Sequence, residues 1–575
     1  MVYKNHKSYN GKVILVKNNA KKHIYPLCMW LALIICELIY FRDLWFGQKI
    51  LGINSDSILI NLTLEHWFDV LNGKVPILTL RSFFPASGSL GYTDALIVPG
   101  VIYSLLRSLG IELFTANNLS LVLLHLLGVV LLYKVLRELG CSYTLSFIGL
   151  FFSLWSCSFT QLSYHTQFFC ISTVPLFFLA VIKIYKCKEN DMKKRLPWAF
   201  LATLGVGLTF LSAYYIAYFT SLIIGIALII FWLLKPKKRF TALVKMIKGN
   251  YTEALIYLFM QLIWIVPFLI IYIPVYDQTG GFNNAFSWLH APDIYDILRT
   301  GSYAPIEKAI SSSLPSPLPD ELMFLMTNRI LEVSCGWAVI TLILFLTALT
   351  SILISKKKDL SDHLILSISL SILLLHLLTC RYGAFFPWLY ISKILPGANT
   401  VRALGRYLGI CTPFLSIVIC VWLKVKIPVA CSKKLATEMI LYLILTVIVI
   451  ISNLGKRYTR DDISEIDKFL TQVSTPPADC TVFFICPMEL DLSIYDINMY
   501  AWLIADRFDI RTINGYSGNI PLGWHLLEDD LKDYFKEVQA WIELNNLKDH
   551  TGLYGYITGQ DIWAPYTELN ISIAE

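Results

Sequence analysis

Charge is what this chain has little of: Asp, Glu, Lys and Arg make up 15% of its 575 residues, against 56% hydrophobic residues and a mean hydropathy of +0.59. A soluble globular domain carries roughly a quarter charged residues, so that class is excluded. Also lacking are any Cys-x-x-Cys or Cys/His spacing of a zinc site, a phosphate-cradling Gly-rich loop, a repeat of fixed period and a low-complexity tract. Their absence leaves no sequence signal for structural zinc or a nucleotide-driven motor. The thirteen cysteines fall mostly in apolar runs, where a thiol acts as a small hydrophobe. Cys480 and Cys486 stand about 20 Å apart along one predicted strand, too far for a disulfide.

What is abundant is apolar runs of roughly 17 to 25 residues, each long enough to cross a hydrocarbon core of about 30 Å. The fold class is therefore an α-helical polytopic membrane protein. The first run, residues 24–41, is followed by Arg42-Asp-Leu-Trp-Phe with no small-residue cleavage site, and is read as a retained anchor. Lysines fix the orientation, because short basic loops stay cytoplasmic. The N-terminus, residues 1–23, holds Lys4, Lys7, Lys12, Lys17, Lys21 and Lys22, and basic segments recur at 186–195, 235–239, 356–358 and 424–434. All belong on one side, so an even number of spans must separate neighbours. Setting aside the short run at 95–110, with its Pro99, Gly100 and Arg107, satisfies that rule and leaves eleven spans within residues 24–453.

Residues 42–117 then form a large first outer loop, 276–329 a second long outer loop, and 457–575 an outer tail. The tail is read as a small α/β domain, with strands at 481–486 and 552–558 and a helix at 526–547. The net charge of +7 sits in the cytoplasmic loops. It implies a lipid bilayer as partner, and no nucleic acid.

Four segments carry a family resemblance. They are Phe84-Pro-Ala-Ser-Gly-Ser-Leu-Gly-Tyr-Thr-Asp94-Ala-Leu, Ser163-Tyr-His165-Thr-Gln167-Phe, Leu395-Pro-Gly-Ala-Asn-Thr-Val-Arg402-Ala-Leu-Gly-Arg406-Tyr, and Thr512-Ile-Asn-Gly-Tyr-Ser-Gly-Asn-Ile-Pro. In this order, behind a basic N-terminus, one span and an early Asp56, they resemble the GT-C superfamily of membrane glycosyltransferases, and within it the bacterial YfhO-like and related branches. The resemblance implies transfer of a sugar from a polyprenyl-phosphate donor to a cell-surface glycan or lipid acceptor, at the outer face of the cytoplasmic membrane. The chain departs from the pattern in having a lone Asp56 where others pair two acids. It also has no Asp-x-Asp after the third span.

The chemistry assigns candidate roles, each beside a plainer one. An attacking hydroxyl must lose a proton, so Asp56 is the candidate general base; an Asp ahead of Ser-Ile-Leu-Ile is equally a helix N-cap. Asp94 positions the acceptor or shares a divalent cation, Mg or Mn, with Asp56; after Gly-Tyr-Thr it is also an ordinary turn residue. His165 and Gln167 would bind phosphate or sugar hydroxyls, or simply meet interfacial water. Arg402 and Arg406, four apart, are expected on one helical face, holding the leaving phosphate or snorkelling to headgroups. Arg81 is a further substrate-binding candidate.

Two other classes remain in view. A transporter, flippase or polymerase-like channel would place charge along a midplane path, for which Glu37, His125 and His376 are the available groups. A non-catalytic scaffold would leave Asp56 and the arginines dispersed.

Overall fold

The computed structural model describes residues 27–45, 49–187, 192–235, 241, 251–281, 284–301, 305–315, 332–356, 358–430, 435–453, 459–460, 463–487, 493–527 and 530–569. The lysine-rich N-terminus and residues 316–329 of the second long loop lie outside them. The first helices are α1 (Leu27–Tyr40), α2 (Asn54–Leu71), α3 (Ile97–Ser108), α4 (Leu113–Glu138), α5 (Tyr143–Phe151), α6 (Cys157–Leu162), α7 (Val174–Lys186), α8 (Met192–Phe210), α9 (Tyr214–Leu233) and α10 (Tyr251–Thr279). Among the described residues six helical runs are long and apolar enough to cross a membrane. These are α4, Thr166–Lys186 (a 3-10 stretch continuing into α7), α9, α10, Leu360–Thr379 and Leu404–Ile427. Shorter apolar helices are α1, α3, Val339–Ile354 and Ile440–Asn453. The chain is a mostly helical, multi-pass membrane protein.

Several expected boundaries shift. The apolar run at 142–160, long enough for one span, forms two short helices, each opened by a serine: Ser142 accepts from the Leu145 N–H and Ser156 from the Phe159 N–H. Such a break is tolerated because α5 and α6 are almost wholly enclosed by protein, which satisfies the freed backbone groups. The loop at 42–117 contains α2 and α3, and the loop at 276–329 begins inside α10 and carries helices Asn284–Leu289 and Pro305–Ser313.

α2 positions the site because it is apolar on more than one face. Ile60 and Leu64, four apart, pack into the core of the helical bundle. Ile58, Leu59 and Leu62 pack into a second core shared with the C-terminal region. That region holds a sheet of order β4-β3-β5-β6, formed by β3 (Val482–Cys486), β4 (Arg511–Thr512), β5 (Leu553–Ile557) and β6 (Ile562–Pro565). β3 is parallel to both β4 and β5, and β6 is antiparallel to β5. The unbroken apolar Val-Phe-Phe-Ile-Cys of β3 is buried throughout, as a central strand covered on both faces requires. The helix expected at 526–547 runs Leu531–Leu544.

The second core also takes in Leu80, Phe83, Leu90 and Ala95 of the first loop. β1 (Ile50–Leu51) pairs antiparallel with β2 (Thr459–Arg460), joining the entry to α2 to the chain beyond the last helix of the bundle. The first loop and the C-terminal residues therefore pack as one body.

Candidate functional site

α2 opens at Asn54, with Ile53 at its cap position making no side-chain cap. Asp56 thus sits inside the first turn and is not the N-cap. Its carboxylate is turned outward from the helix: Oδ2 lies 2.5 Å from His165 Nδ1, and Oδ1 accepts the Tyr516 hydroxyl at 3.1 Å. His165 immediately precedes the Thr166–Thr173 3-10 stretch. Its Nε2 accepts from Arg406 Nη2 at 2.6 Å and lies 3.3 Å from Glu332 Oε1. Asp56 and Arg406 thus meet the two ring nitrogens of His165.

Arg406 in turn grips Glu332 with both Nε and Nη2, the two-point geometry that suits guanidinium to carboxylate. Its cationic carbon stands 5.3 Å from the Phe168 ring centre and 5.2 Å from that of Tyr215. Gly405 allows the close approach: a Cβ there would stand 2.7 Å from the Glu332 carbonyl oxygen. The result is a continuous chain, Tyr516, Asp56, His165, Arg406, Glu332, assembled from both ends of the sequence.

Exposure falls along it. The Asp56 side chain is 23% exposed and His165 12%, while Glu332 and Arg406 are at 9% and 6%. Asp56 is therefore the end a substrate can reach. Burial alone would raise its pKa, but the His165 contact, the Arg406 charge and the Tyr516 hydroxyl together bring it below the usual carboxylate value. Glu332 is also buried, yet Arg406 and His165 hold it well below the usual range. Both stay ionised at neutral pH.

Asp94 shares this electrostatic surrounding. Burial pushes it up to about 6, against the Tyr214 N–H and the charges of Arg406 and His165. Its Oδ1 accepts that N–H at 2.8 Å, so its local job is to secure the start of α9.

Other candidates are placed differently. Arg402 and Arg406 do not share a helical face: Val401 and Ala403 are non-helical and Leu404–Arg406 is a 3-10 turn, so the four-residue spacing has no α-helix to act through. Arg402 still belongs to the site, its backbone N–H donating to the Tyr215 hydroxyl at 2.9 Å and its charge reaching the Tyr516 hydroxyl. Gln167 is half-buried, and its Oε1 has no hydrogen-bond partner among the described residues. Arg81 lies elsewhere. It bridges Asp69 of α2, at 2.7 and 2.9 Å, and Asp509 at 2.5 Å, pinning α2 to the C-terminal helix Ile494–Phe508 and its cap.

The residues do not fit a cation shared by Asp56 and Asp94. Both Asp56 oxygens and Asp94 Oδ1 are already engaged by protein groups. Among the described residues the three-acid group with mutually close oxygens is Glu65, Asp69 and Asp506, where Arg81, Arg107 and Lys74 supply the balancing charge.

Two members of the site escaped the sequence reading. Tyr516 lay inside the Asn-Gly-Tyr-Ser-Gly tract, so the signal was present without a role. Glu332 is a single acid just ahead of an apolar run, which nothing in one sequence distinguishes from a span-end charge. The groups that would mark a transport path are bonded to one another or to backbone: Glu37 takes His125 at 2.7 Å and the Trp155 indole at 3.0 Å, and His376 Nε2 meets the Ile294 carbonyl at 3.0 Å.

No protein-family model matches the chain, and no curated protein matches it. Among solved structures it is similar to ArnT from Cupriavidus metallidurans in the apo state, at 11% identity and a TM-score of 0.38, covering 84% of this chain and 85% of that one. It is likewise similar to the same protein bound to undecaprenyl phosphate, at 11% identity and a TM-score of 0.36, covering 88% and 86%. A likeness of this size assigns no residue role here.

Proposed function

We propose that this protein is an integral-membrane glycosyltransferase of GT-C type, akin to the YfhO-like branch, moving a sugar from a polyprenyl-phosphate donor to a cell-surface glycan or lipid at the outer face of the cytoplasmic membrane. The observation that supports it is the gathering of Asp56, His165 and Arg406, each chosen from sequence for this chemistry, into one bonded chain whose exposed end is the carboxylate. A scaffold has no need of that convergence.

In this reading the acceptor hydroxyl approaches Asp56 and attacks the anomeric carbon. The bond from that carbon to the phosphate oxygen breaks, its electron pair leaves with the phosphate, and Asp56 takes the hydroxyl proton. A carboxylate held below its usual pKa is a weak base, suited to a proton that moves late, once the oxygen has become acidic by attack on an oxocarbenium-like centre. His165, anchored by Arg406, keeps that carboxylate aimed. Arg402, whose charge reaches the Tyr516 hydroxyl beside Asp56, is the cation assigned to the departing phosphate.

The test is consumption of a polyprenyl-phosphate sugar by the full chain reconstituted in liposomes with envelope glycolipid extract. Transfer of label to the extract is expected. A preparation that folds, binds the donor and never turns it over overturns the reading.

A further inference from the structure

A cleft of about 300 Å³ opens where the outward end of α10 meets residues 518–525, outside the bonded chain described above. Among the described residues its lining includes Gln278, Thr279, Asn519, Ile520, Leu522 and His525, with no Asp, Glu, Lys or Arg. That volume is at the lower end of small-molecule sites, which combine apolar walls with a few placed polar groups. The polar groups here are fixed. Tyr92 donates its hydroxyl to Gln278 Oε1 at 2.6 Å, which leaves the amide NH₂ as the end available to a ligand. Thr279 donates to the Val275 carbonyl at 3.0 Å and accepts the Gly281 N–H at 3.5 Å, with one lone pair remaining.

The cleft is tied to Asp56 by a short stretch of chain. Tyr516 bonds Asp56; the next residue, Ser517, donates to the Tyr92 carbonyl at 2.5 Å, and the Asn519 N–H donates to the same oxygen at 3.2 Å. One tyrosine therefore organises both the loop that carries Tyr516 and the Gln278 wall. A Cβ at Gly515 would stand 2.5 Å from the Phe83 ring, so the loop is seated directly on the first loop.

We propose that this cleft is a saccharide subsite that takes an uncharged sugar of the acceptor. Resting on the transferase reading, it assigns the acceptor's chemical class. Phosphate or carboxylate groups would call for guanidinium or ammonium donors, and among the described residues the lining offers none, His525 being its one imidazole. Sugar hydroxyls would instead exchange hydrogen bonds with the Gln278 NH₂, Thr279 Oγ1 and the Asn519 amide. The C–H face of the ring would lie on Ile520 and Leu522.

Gly518 provides the test. It lines the cleft, an added Cβ would meet nothing within 4 Å, and its φ is outside the left-handed region, so Gly518→Phe fills the space without straining the fold. The full chain in nanodiscs is applied to immobilised saccharides, neutral hexoses and N-acetylhexosamines beside sulfated and uronic-acid forms. Retention on neutral sugars is expected, at least tenfold weaker for Gly518→Phe. No retention on neutral sugars, equal retention by Gly518→Phe, or preference for anionic sugars overturns the subsite. Donor turnover, measured separately, decides the transferase reading, so the two failures are distinguishable.

Discussion

Asp56 Oδ2 stands 2.5 Å from His165 Nδ1, a contact that ties the first turn of α2 to the entry of the Thr166–Lys186 helical run. Tyr516 bonds the first of these residues, and Arg406 and Glu332 meet the second.

Asp56→Asn removes the base while keeping size and a hydrogen-bond acceptor. Transfer is expected to fall about a hundredfold or more, with membrane insertion and melting behaviour near those of the parent. Parental transfer by the purified variant would move the chemistry away from Asp56.

For Arg402 the relevant variable is the donor. Arg402→Lys keeps the charge and loses the paired geometry, so a moderate rise in donor KM is expected, with Arg402→Ala worse by roughly tenfold, the value of about 1.4 kcal/mol. A defect that follows acceptor concentration instead would remove Arg402 from the phosphate.

Glu332→Gln leaves Arg406 buried without its counter-charge, and breaking one side of a buried ion pair costs roughly 3 kcal/mol. Glu332 titrates well below the usual range, so the pair's contribution is complete at neutral pH and is lost only as pH falls through that low value. The Tm at neutral pH should drop clearly for Glu332→Gln, and less than additively when Arg406→Met is combined with Glu332→Met. Additive losses would mean the two do not act as a pair.

The Asp94 carboxyl rises from 3.8 to about 6 on folding. Between those values the folded chain holds a proton that the unfolded chain has released, so Asp94 costs stability as pH climbs through this window and nothing further above it. Asp94→Asn still offers an oxygen to the Tyr214 N–H. Its Tm should therefore gain on the parent's between pH 4 and pH 6.5, then stay parallel. Parallel curves across the whole range would refute the assignment.

Because Tyr516 reaches Asp56 and β2 pairs with β1, the first loop and the C-terminal residues must lie on one side of the membrane. We expect single cysteines engineered at Gly559 and Gly88 to be modified from outside intact cells and one at Lys186 to be protected. The opposite pattern would invert the topology.

Composition and hydropathy by themselves determined the class, because only apolar runs of sufficient length can satisfy their own backbone within a bilayer. The short-range sequence also located β3, β5 and the Leu531–Leu544 helix, whose patterns follow local periodicity. Asp56, Asp94, His165, Arg402 and Arg406 were legible as chemistry-bearing types at span ends. Whether they met was not, since hydropathy says where a residue sits across the membrane and nothing about which helix lies beside it. Packing decided that Arg406 spends its charge on Glu332, that Arg81 belongs to the seam between α2 and the C-terminal region, and that of the two arginines expected on one helical face Arg406 stands on a 3-10 turn and Arg402 in non-helical chain. It also brought in Tyr516, whose hydroxyl reaches Asp56 only because Phe83 and its neighbours give the first loop and the C-terminal region a common core.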